Sequence, residues 1–175
     1  MGQTKNNIVL IGFMGSGKTT VGQLLAKNLG YRFLDTDEYI EQTTGKTIST
    51  IFATYGEEYF RLLETKIVEE LATSLSNTVV STGGGLPLRE KNANILKGMG
   101  QVIFLKISKE VVLNRLQGDT NRPLLQGENV EERVENLLTE RFDKYKKAAH
   151  YMVCVDQRSE QEVMEHILAQ VKLLK

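Results

Sequence analysis

The sequence has little of several features that would point to a special environment or partner. Its 175 residues include one cysteine, Cys154, so no disulfide can form within the chain. Lysine plus arginine number 22 and aspartate plus glutamate number 22, and this zero net charge excludes the broad basic field that attracts nucleic acids or membranes. The two histidines, His150 and His166, lack the spacing of metal ligands. Any anionic ligand must therefore be held by a local cluster of basic side chains.

Long apolar segments are also missing. No apolar run approaches the roughly 20 residues needed to cross a bilayer, and the polar start Met1–Asn7 has no apolar region of a signal peptide. We therefore expect a cytoplasmic monomer that binds neither nucleic acid nor membrane. We interpret Cys154 as a core side chain rather than a reactive thiol, because it lies in the apolar run Tyr151–Val155.

Short apolar runs that alternate with helical patterns indicate the fold class. The chain length and a hydrophobic content of 41% fit one domain over residues 1–175. The runs are rich in β-branched residues on both sides of the alternation, which predicts a parallel sheet buried between two layers of helices, an α/β/α fold. We expect five strands, at Ile8–Phe13, Tyr31–Leu34, Thr78–Ser81, Val102–Ile107 and Tyr151–Val155.

Two stretches depart from this alternation. The segment Asp37–Leu75 contains no strand pattern and is predicted to be mostly helical, which makes it a candidate for a substrate-binding insertion between the second and third strands. The segment Gln117–Asn129 contains Gly118, Gly127 and Pro123, a composition typical of a mobile loop. An ordinary connector would have the same composition, so both interpretations of this loop stay open.

One motif points directly to nucleotide chemistry. The octapeptide Gly12–Thr19 matches the P-loop pattern G-x-x-x-x-G-K-[ST], and it follows an apolar run and opens a helical pattern, as the motif requires. Its glycines let backbone amides surround phosphate oxygens, and the helix N-terminus adds a partial positive charge. Lys18 would reach the β- and γ-phosphates, and Thr19 would offer its hydroxyl to Mg²⁺.

Two carboxylates follow the second predicted strand. Asp35 and Asp37 lie where ligands bind in an open parallel sheet, just beyond the carboxyl end of a strand. There they can reach a metal ion and the hydroxyl of a phosphate acceptor. Either could instead cap the helix that begins nearby, and a capping role for one of them is compatible with catalysis by the other.

Three consecutive glycines follow the third predicted strand. The run Thr82–Gly85 carries a conformational entropy cost, which indicates that the backbone there approaches something closely, such as a small ligand. A tight turn into a helix at Pro87 is the alternative.

Three arginines elsewhere are candidates for binding a carboxylate or a phosphoryl group, although isolated arginines are usually solvated surface residues. They are Arg61 in the insertion, Arg122 in the loop and Arg141 in a helix predicted over Val130–Ala149.

Together these residues resemble the shikimate kinase family. The resemblance covers about Asn7 to Leu168, and the order and spacing of the whole set are far more specific than the P-loop alone. It implies a nucleoside-monophosphate-kinase-like fold with a substrate-binding insertion at about 37–75 and a lid at about 117–129. It also implies ATP-dependent phosphorylation of shikimate to 3-phosphoshikimate with Mg²⁺, a step toward chorismate and the aromatic amino acids.

The resemblance also implies a role for each candidate residue. Lys18, Asp37 and Arg122 would be catalytic, and Asp35 would hold Mg²⁺ through a water while Thr19 binds it directly. The residues implied to bind ATP are Gly15, Ser16, Gly17, Lys18, Thr19, Thr20, Arg122 and, in a loosely matching adenine loop, Arg158. The residues implied to bind shikimate are Asp37, Arg61, Gly83, Gly84, Gly85 and Arg141.

Three other functions remain open at this level. Another small-molecule kinase of the same fold, for gluconate or a nucleoside monophosphate, would share the P-loop and differ in its acceptor. A nucleotide-binding regulatory module would have no acceptor, which the paired carboxylates and arginines argue against. A catalytically inactive homologue is difficult to reconcile with the intact residues Lys18, Thr19 and Asp37.

Overall fold

The structure is a computed structural model that describes residues 5–117 and 127–171. Five strands and seven α-helices alternate along this part of the chain, with one short 3₁₀ helix, Leu86–Leu88, after the third strand. The strands are β1 (Asn7–Ile11), β2 (Arg32–Asp35), β3 (Thr78–Ser81), β4 (Gly100–Lys106) and β5 (Tyr151–Cys154). The helices are α1 (Lys18–Leu29), α2 (Thr36–Thr44), α3 (Ile48–Ser74), α4 (Glu90–Met99), α5 (Lys109–Arg115), α6 (Val130–Ala148) and α7 (Glu160–Gln170).

The five strands form one sheet in the order β2-β3-β1-β4-β5, and every neighbouring pair is parallel. The register aligns Leu10 of β1 with Ser81 of β3 and Ile103 of β4. Because all strands run the same way, their carboxyl ends lie together along one side of the sheet. The loops after β1, β2 and β3 therefore emerge next to one another there, where ligands bind in open α/β sheets.

Helices cover both faces of the sheet. The crossover from β1 to β2 runs toward one edge and the crossover from β3 to β4 runs toward the other, so right-handed connections put their helices on opposite faces. Helix α1 packs against α7 on one face, whereas α4 packs against α3, α6 and β4 on the other. The predicted three-layer α/β/α architecture with five parallel strands is therefore confirmed.

The strand expectations hold best at the centre of the sheet. All five residues of β1 and all four of β3 are buried, as predicted for strands covered on both faces. The edge strands differ, since β5 leaves Met152 and Cys154 exposed. The interpretation of Cys154 as a core side chain is therefore wrong, because an edge strand has only one covered face here.

The segment predicted as a helical insertion contains α2 and α3, and no strand is found between residues 37 and 75. Helix α3 is interrupted at Gly56, whose φ of 84° and ψ of 172° are not helical, so the element consists of two helices joined at a kink. Most of the predicted lid, Gln117–Asn129, lies outside the described residues, and so does Arg122. Among the residues that the structure describes, no helix is long and apolar enough to cross a membrane.

Candidate active site

The loop between β1 and α1, residues 12–17, forms one end of the site. Gly17 has a φ of 90°, a conformation that residues with a Cβ rarely adopt, and it directly precedes α1. The Nζ of Lys18 donates hydrogen bonds to the carbonyl oxygens of Gly12 and Phe13 at 2.7 and 2.9 Å, so the loop curves around the ammonium group. The N-terminus of α1 adds amides and a partial positive charge at the same place, and the loop is therefore built to bind phosphate.

Asp35 connects this phosphate loop to the end of β2. One carboxylate oxygen of Asp35 accepts hydrogen bonds from the amides of Asp37 and Glu38 at 2.9 and 3.2 Å, so this residue caps α2. The other oxygen accepts a hydrogen bond from the Thr19 hydroxyl at 3.2 Å. Mg²⁺ prefers hard oxygen ligands and takes few of them from protein, completing its shell with water and phosphate oxygens. Thr19 and Asp35 therefore fit a magnesium ion beside the phosphate loop.

The loop after β3, residues 83–86, is called the glycine loop below, and it passes close to charged side chains. A methyl group on Gly83 would lie 2.6 Å from Asp37 Oδ1, and one on Gly85 would collide with the guanidinium of Arg61. The close approach that the glycine run predicted therefore includes an approach to the candidate acceptor-binding side chains. Any Cβ at Gly83 or Gly85 would displace Asp37 or Arg61.

The backbone amides of this loop are not all available. The amide of Gly83 donates to Thr36 Oγ1 at 3.0 Å, which ties the loop to the first residue of α2. The amides of Gly84 and Gly85 donate to no acceptor in the described part of the chain. These two amides, rather than that of Gly83, are therefore open to a ligand.

Arg61 is oriented by carboxylates of its own helix. Its Nη1 donates to Glu64 Oε1 at 2.6 Å, and its Nη2 lies 3.5 Å from Glu57 Oε1. The Glu64 side chain is 1% exposed, and its Oε2 has no hydrogen-bond partner among the described residues. The Arg61 side chain remains 19% exposed, so the guanidinium can also meet a ligand.

Arg141 reaches the same glycine loop from α6. Its guanidinium carbon lies 5.7 Å from the centre of the Phe13 ring, and a methyl group on Gly84 would lie 3.7 Å from its Nη1. Arg61 approaches the loop at Gly85 from α3. The structure therefore brings the two predicted arginines, from helices about 80 residues apart, to neighbouring points on one loop.

Two carboxyl groups in this region are less acidic than usual. Burial raises the pKa of Asp37 to about 6, with Asp35 adding to the effect and Lys18 and Arg61 opposing it. Burial also raises the pKa of Glu64 to about 7, although the Arg61 guanidinium lowers it. Ionisable groups shifted toward neutral pH by burial are typical of sites that hold or move protons. Asp37 is accordingly suited to accept the hydrogen bond of a substrate hydroxyl.

A cavity of about 840 Å³ joins the phosphate loop to the glycine loop. It is lined by Lys18, Thr19, Thr20, Asp35, Asp37, Gly83 and Gly84, together with Arg158 and Arg115, which bonds to the phosphate loop. Arg61, Gly85 and Arg141 lie just beyond this lining, beside the glycine loop. The cavity thus has one side that is suited to bind phosphate. Its other side is at the glycine loop, where Asp37 lines the cavity and Arg61 and Arg141 lie just outside it.

Comparisons with known proteins agree with this geometry. A model of the protein family described as "Shikimate kinase" matches residues 14–172 of the chain. The chain belongs to the shikimate kinase family. It is 46% identical over 170 residues to "Shikimate kinase" of Thermodesulfovibrio yellowstonii, and the match covers 96% of both chains. It is 43% identical over 168 residues to "Shikimate kinase" of Symbiobacterium thermophilum, covering 95% of this chain and 96% of the relative.

Solved structures give the same relationship. The shikimate kinase of Acinetobacter baumannii in complex with shikimate has a TM-score of 0.88 and 41% identity, with 97% of each chain covered. A gluconokinase of Sinorhizobium meliloti has a TM-score of 0.54 and 19% identity, covering 96% of this chain and 92% of the other. The gluconokinase shares the fold alone at this identity, whereas the first structure belongs to the family itself.

Most of the predicted shikimate kinase site residues lie together in the structure. Arg158 is at the cavity, where its Nη1 donates to the carbonyl oxygen of Cys154 at 2.7 Å, and its adenine-binding role stays a prediction. Ser16 is buried within the phosphate loop. Arg122 lies outside the described residues, so its role over the ATP phosphates also stays a prediction.

Sequence reasoning missed two charged residues of the site. Glu64 falls on the apolar stripe of α3, between Phe60 and Ile67, and an acidic residue on a buried stripe is a signal that could have identified it. Arg115 donates to the carbonyl oxygen of Gly15 at 2.9 Å and lines the cavity. It had no comparable signal, because 100 residues separate these partners.

Proposed function

We propose that this protein transfers the γ-phosphoryl group of ATP to the 3-hydroxyl of shikimate, giving ADP and 3-phosphoshikimate. The observation that carries the proposal is the single cavity that holds a phosphate loop at one side and Asp37 beside a glycine loop at the other. Arg61 and Arg141 border that glycine loop. Membership of the shikimate kinase family supports the same acceptor.

The donor side would bind ATP through backbone amides and one lysine. Amides of residues 15–20 would surround the phosphates, and Lys18 would exchange its bonds with the loop carbonyls for bonds to phosphate oxygens. Thr19 and Asp35 would hold Mg²⁺ directly and through a water, and the bound ion neutralises charge on the β- and γ-phosphates. Arg115 and Arg158 also line the cavity, and Arg158 would contact the adenine of the nucleotide.

The acceptor side would bind a small hydroxylated carboxylic acid. Arg61 and Arg141 each present a planar guanidinium, which matches a carboxylate with two parallel hydrogen bonds. Glu64 keeps Arg61 in place and offsets its charge before substrate arrives. Asp37 then faces the ring hydroxyls, with Gly84 and Gly85 offering their amides.

The transfer itself needs little covalent chemistry from the protein. The 3-hydroxyl oxygen forms a bond to the γ-phosphorus, and the bond from that phosphorus to the β–γ bridging oxygen breaks, so ADP leaves with that oxygen. Asp37 accepts the hydrogen bond of the attacking hydroxyl and takes up its proton. Because burial raises the pKa of Asp37 to about 6, the group is ionised at neutral pH yet more basic than an ordinary aspartate.

The remaining assignments extend the same proposal. Residues 37–75 would serve as the acceptor-binding insertion, and residues 117–129 would form a lid that carries Arg122 to the phosphates and excludes water. The protein would act as a monomer. ATP is a metabolite of the cytoplasm, and the protein would work there.

An acceptor panel tests the proposed function. The protein is incubated with ATP and Mg²⁺ and with shikimate, gluconate or adenosine monophosphate, and products are identified by phosphorus NMR. We expect one equivalent of 3-phosphoshikimate per ADP with shikimate and no transfer to the other two acceptors. Preferred transfer to gluconate or to the nucleotide would show that this compound, and not shikimate, is the acceptor. ADP formation at one slow rate in all three samples would indicate a regulatory nucleotide-binding module.

A further inference from the structure

The glycine loop, residues 83–86, is hydrogen-bonded to side chains on two sides. On one side the phenol hydroxyl of Tyr145 donates to the carbonyl oxygen of Gly84 at 2.7 Å. Tyr145 is 1% exposed and packs its ring against Phe104, with 5.2 Å between the ring centres. The hydroxyl is therefore held by a side chain that has little freedom to move.

On the other side the loop is held through Asn92, a buried residue near the start of α4. Its Nδ2 donates to the carbonyl oxygen of Leu86 at 2.9 Å, and its Oδ1 accepts a hydrogen bond from Thr65 Oγ1 at 2.8 Å. The Asn92 side chain is 1% exposed, so both of its bonds are made away from solvent. Leaving a buried polar group without its hydrogen bond costs free energy of folding. The link through Asn92 therefore favours one geometry of the loop.

The two links share one arrangement. Thr65 lies four residues after Arg61 on α3, and Tyr145 lies four residues after Arg141 on α6. Residues four apart on a helix share a face, so each arginine and its hydroxyl residue point to the same loop. Helix α3 is thereby joined to the loop at Leu86, and α6 is joined to it at Gly84.

We infer that Thr65, Asn92 and Tyr145 are positioning residues that fix the distance between the two arginines and the glycine loop. This inference rests on the proposed function, because the arginines are assigned there to the shikimate carboxylate. Three consecutive glycines have no side chains to hold their own conformation. The loop must keep Gly84 and Gly85 amides oriented while both guanidinium groups contact one small molecule, and misplacement by about 1 Å can cost on the order of a hundredfold in rate.

Two substitutions remove the links, and each also removes one further contact of the same hydroxyl: that of Thr65 Oγ1 with the carbonyl oxygen of Arg61 at 3.2 Å, and that of the Tyr145 hydroxyl with Arg141. Thr65→Val keeps the shape of the side chain and removes the hydroxyl, while Thr65→Ser keeps the hydroxyl and should restore the link. Tyr145→Phe removes one oxygen from a ring that stays packed. We expect each loss to raise the KM for shikimate about five- to thirtyfold, corresponding to one buried hydrogen bond or slightly more. The KM for ATP should stay within twofold of the parent, since the links do not touch the phosphate loop.

Matched controls remove similar groups elsewhere. Thr73→Val removes from the same helix a hydroxyl whose one hydrogen bond among the described residues is to the carbonyl oxygen of Glu70. Tyr151→Phe removes a phenol hydroxyl from the edge strand β5. Both controls should leave the KM for shikimate unchanged. The double variant Thr65→Val/Tyr145→Phe should fall short of the product of the single effects, because both links hold one loop.

A second measurement does not depend on catalysis. Amide hydrogen exchange at Gly83, Leu86 and Leu88, whose amides donate hydrogen bonds in this segment, should become faster in Thr65→Val and Tyr145→Phe, and it should return to the parent rate in Thr65→Ser. Parallel rises in the KM for shikimate and ATP, or variants no different from their controls, would overturn the inference. If the parent fails to phosphorylate shikimate, the proposed function fails first. Faster exchange without any change in shikimate affinity would leave the links purely structural and would also overturn the inference.

Discussion

The donor and acceptor sides of the cavity are built from different materials. The donor side is centred on a continuous loop, residues 12–17, and on Lys18 and Thr19 at the start of α1, with Asp35 and Arg115 contributed from elsewhere in the chain. The acceptor side draws single side chains from three helices and places them around a loop of glycines. Phosphate recognition therefore depends on local conformation, whereas acceptor recognition depends on the tertiary fold that brings Asp37, Arg61 and Arg141 together.

The two sides also differ in how their charges are balanced without ligands. Lys18 is satisfied by neutral carbonyl oxygens that ligand phosphates can replace. Asp37 is a half-buried carboxyl and Glu64 a buried one, and both have a raised pKa. The Arg61 guanidinium is bonded to Glu64 and would also bind the ligand. The acceptor side therefore costs folding stability before substrate arrives, and the predictions below use that difference.

The largest effect is expected on the donor side. Lys18→Met removes the cation that meets the β- and γ-phosphates and should lower turnover at least about a hundredfold, as for the loss of one transition-state donor. The backbone of the loop is unchanged, so circular dichroism should match the parent. Lys27→Met, in the exposed last turn of the same helix, serves as the control. Turnover of Lys18→Met within threefold of the parent would contradict the assignment of the phosphate loop.

A smaller effect is expected when an acceptor-side arginine keeps its charge and loses its shape. Arg61→Lys retains a cation but cannot make two parallel hydrogen bonds, so shikimate affinity should fall about tenfold while ATP affinity changes little. Calorimetric titration of each ligand measures the two affinities separately. Arg32→Lys, on the exposed edge strand, should change neither. Weaker ATP binding with unchanged shikimate binding would mean that the sides have been exchanged.

The raised pKa of Asp37 predicts the pH dependence of activity. The residue must be ionised to accept the proton of the attacking hydroxyl, and its pKa in the folded protein is about 6. The kcat/KM for shikimate should therefore fall about tenfold per pH unit below about pH 6 and level off above pH 7. A profile flat from pH 5 to 8 would exclude an ionised Asp37 as the acceptor of that hydrogen bond.

The same pKa shift predicts an effect on stability. A carboxyl whose pKa is higher in the folded state stabilises that state below its unfolded pKa, and the contribution is lost as pH rises from about 4 to about 6. Asp37→Asn has no such loss, so its free energy of unfolding should exceed that of the parent by roughly 1–2 kcal/mol at pH 8. Urea denaturation at pH 5 and pH 8 measures this difference. Asp143→Asn, an exposed site, should show no gain at either pH.

The smallest effects are expected from a pair of glycines. Gly56 has a positive φ and open space around its Cβ position, so Gly56→Ala should destabilise the protein by about 1 kcal/mol or slightly more through backbone strain alone. Gly98 lies inside α4, also with open space, and Gly98→Ala should stabilise by about 0.5–1 kcal/mol. Thermal denaturation should shift in opposite directions, and an unchanged or raised melting temperature in Gly56→Ala would mean that the kink does not require glycine.

The contrast between the two sides also explains what the sequence could predict. The phosphate loop, Asp35, Asp37 and the glycine run each lie at or just beyond the carboxyl end of a strand, so apolar periodicity and spacing were enough to select them as candidates. The strands themselves were predicted within two residues because buried parallel strands are continuous apolar runs. Arg61 and Arg141 were only general candidates for binding an anion, and the resemblance to a family assigned them to the shikimate carboxylate, since an isolated arginine carries no local signal.

Other features depended on contacts that the sequence does not contain. The exposure of Cys154 follows from the position of β5 at the edge, which the order of strands along the chain does not reveal. Arg115 and Tyr145 reach the site through bonds to backbone oxygens 100 and 61 residues away. Glu64 was the exception, since an acidic residue on an apolar stripe was visible and was not used.

The most direct test of the account is the rate of ADP release at saturating ATP and Mg²⁺, measured with and without shikimate. Because the phosphate loop is joined to an acceptor site, the rate of ADP release should be very low with ATP alone. It should be at least about a hundredfold higher with saturating shikimate. That stimulation should be lost in Lys18→Met at every shikimate concentration, whereas Arg61→Lys should recover it at higher concentration. An ADP release rate that does not respond to shikimate would contradict the account at its centre.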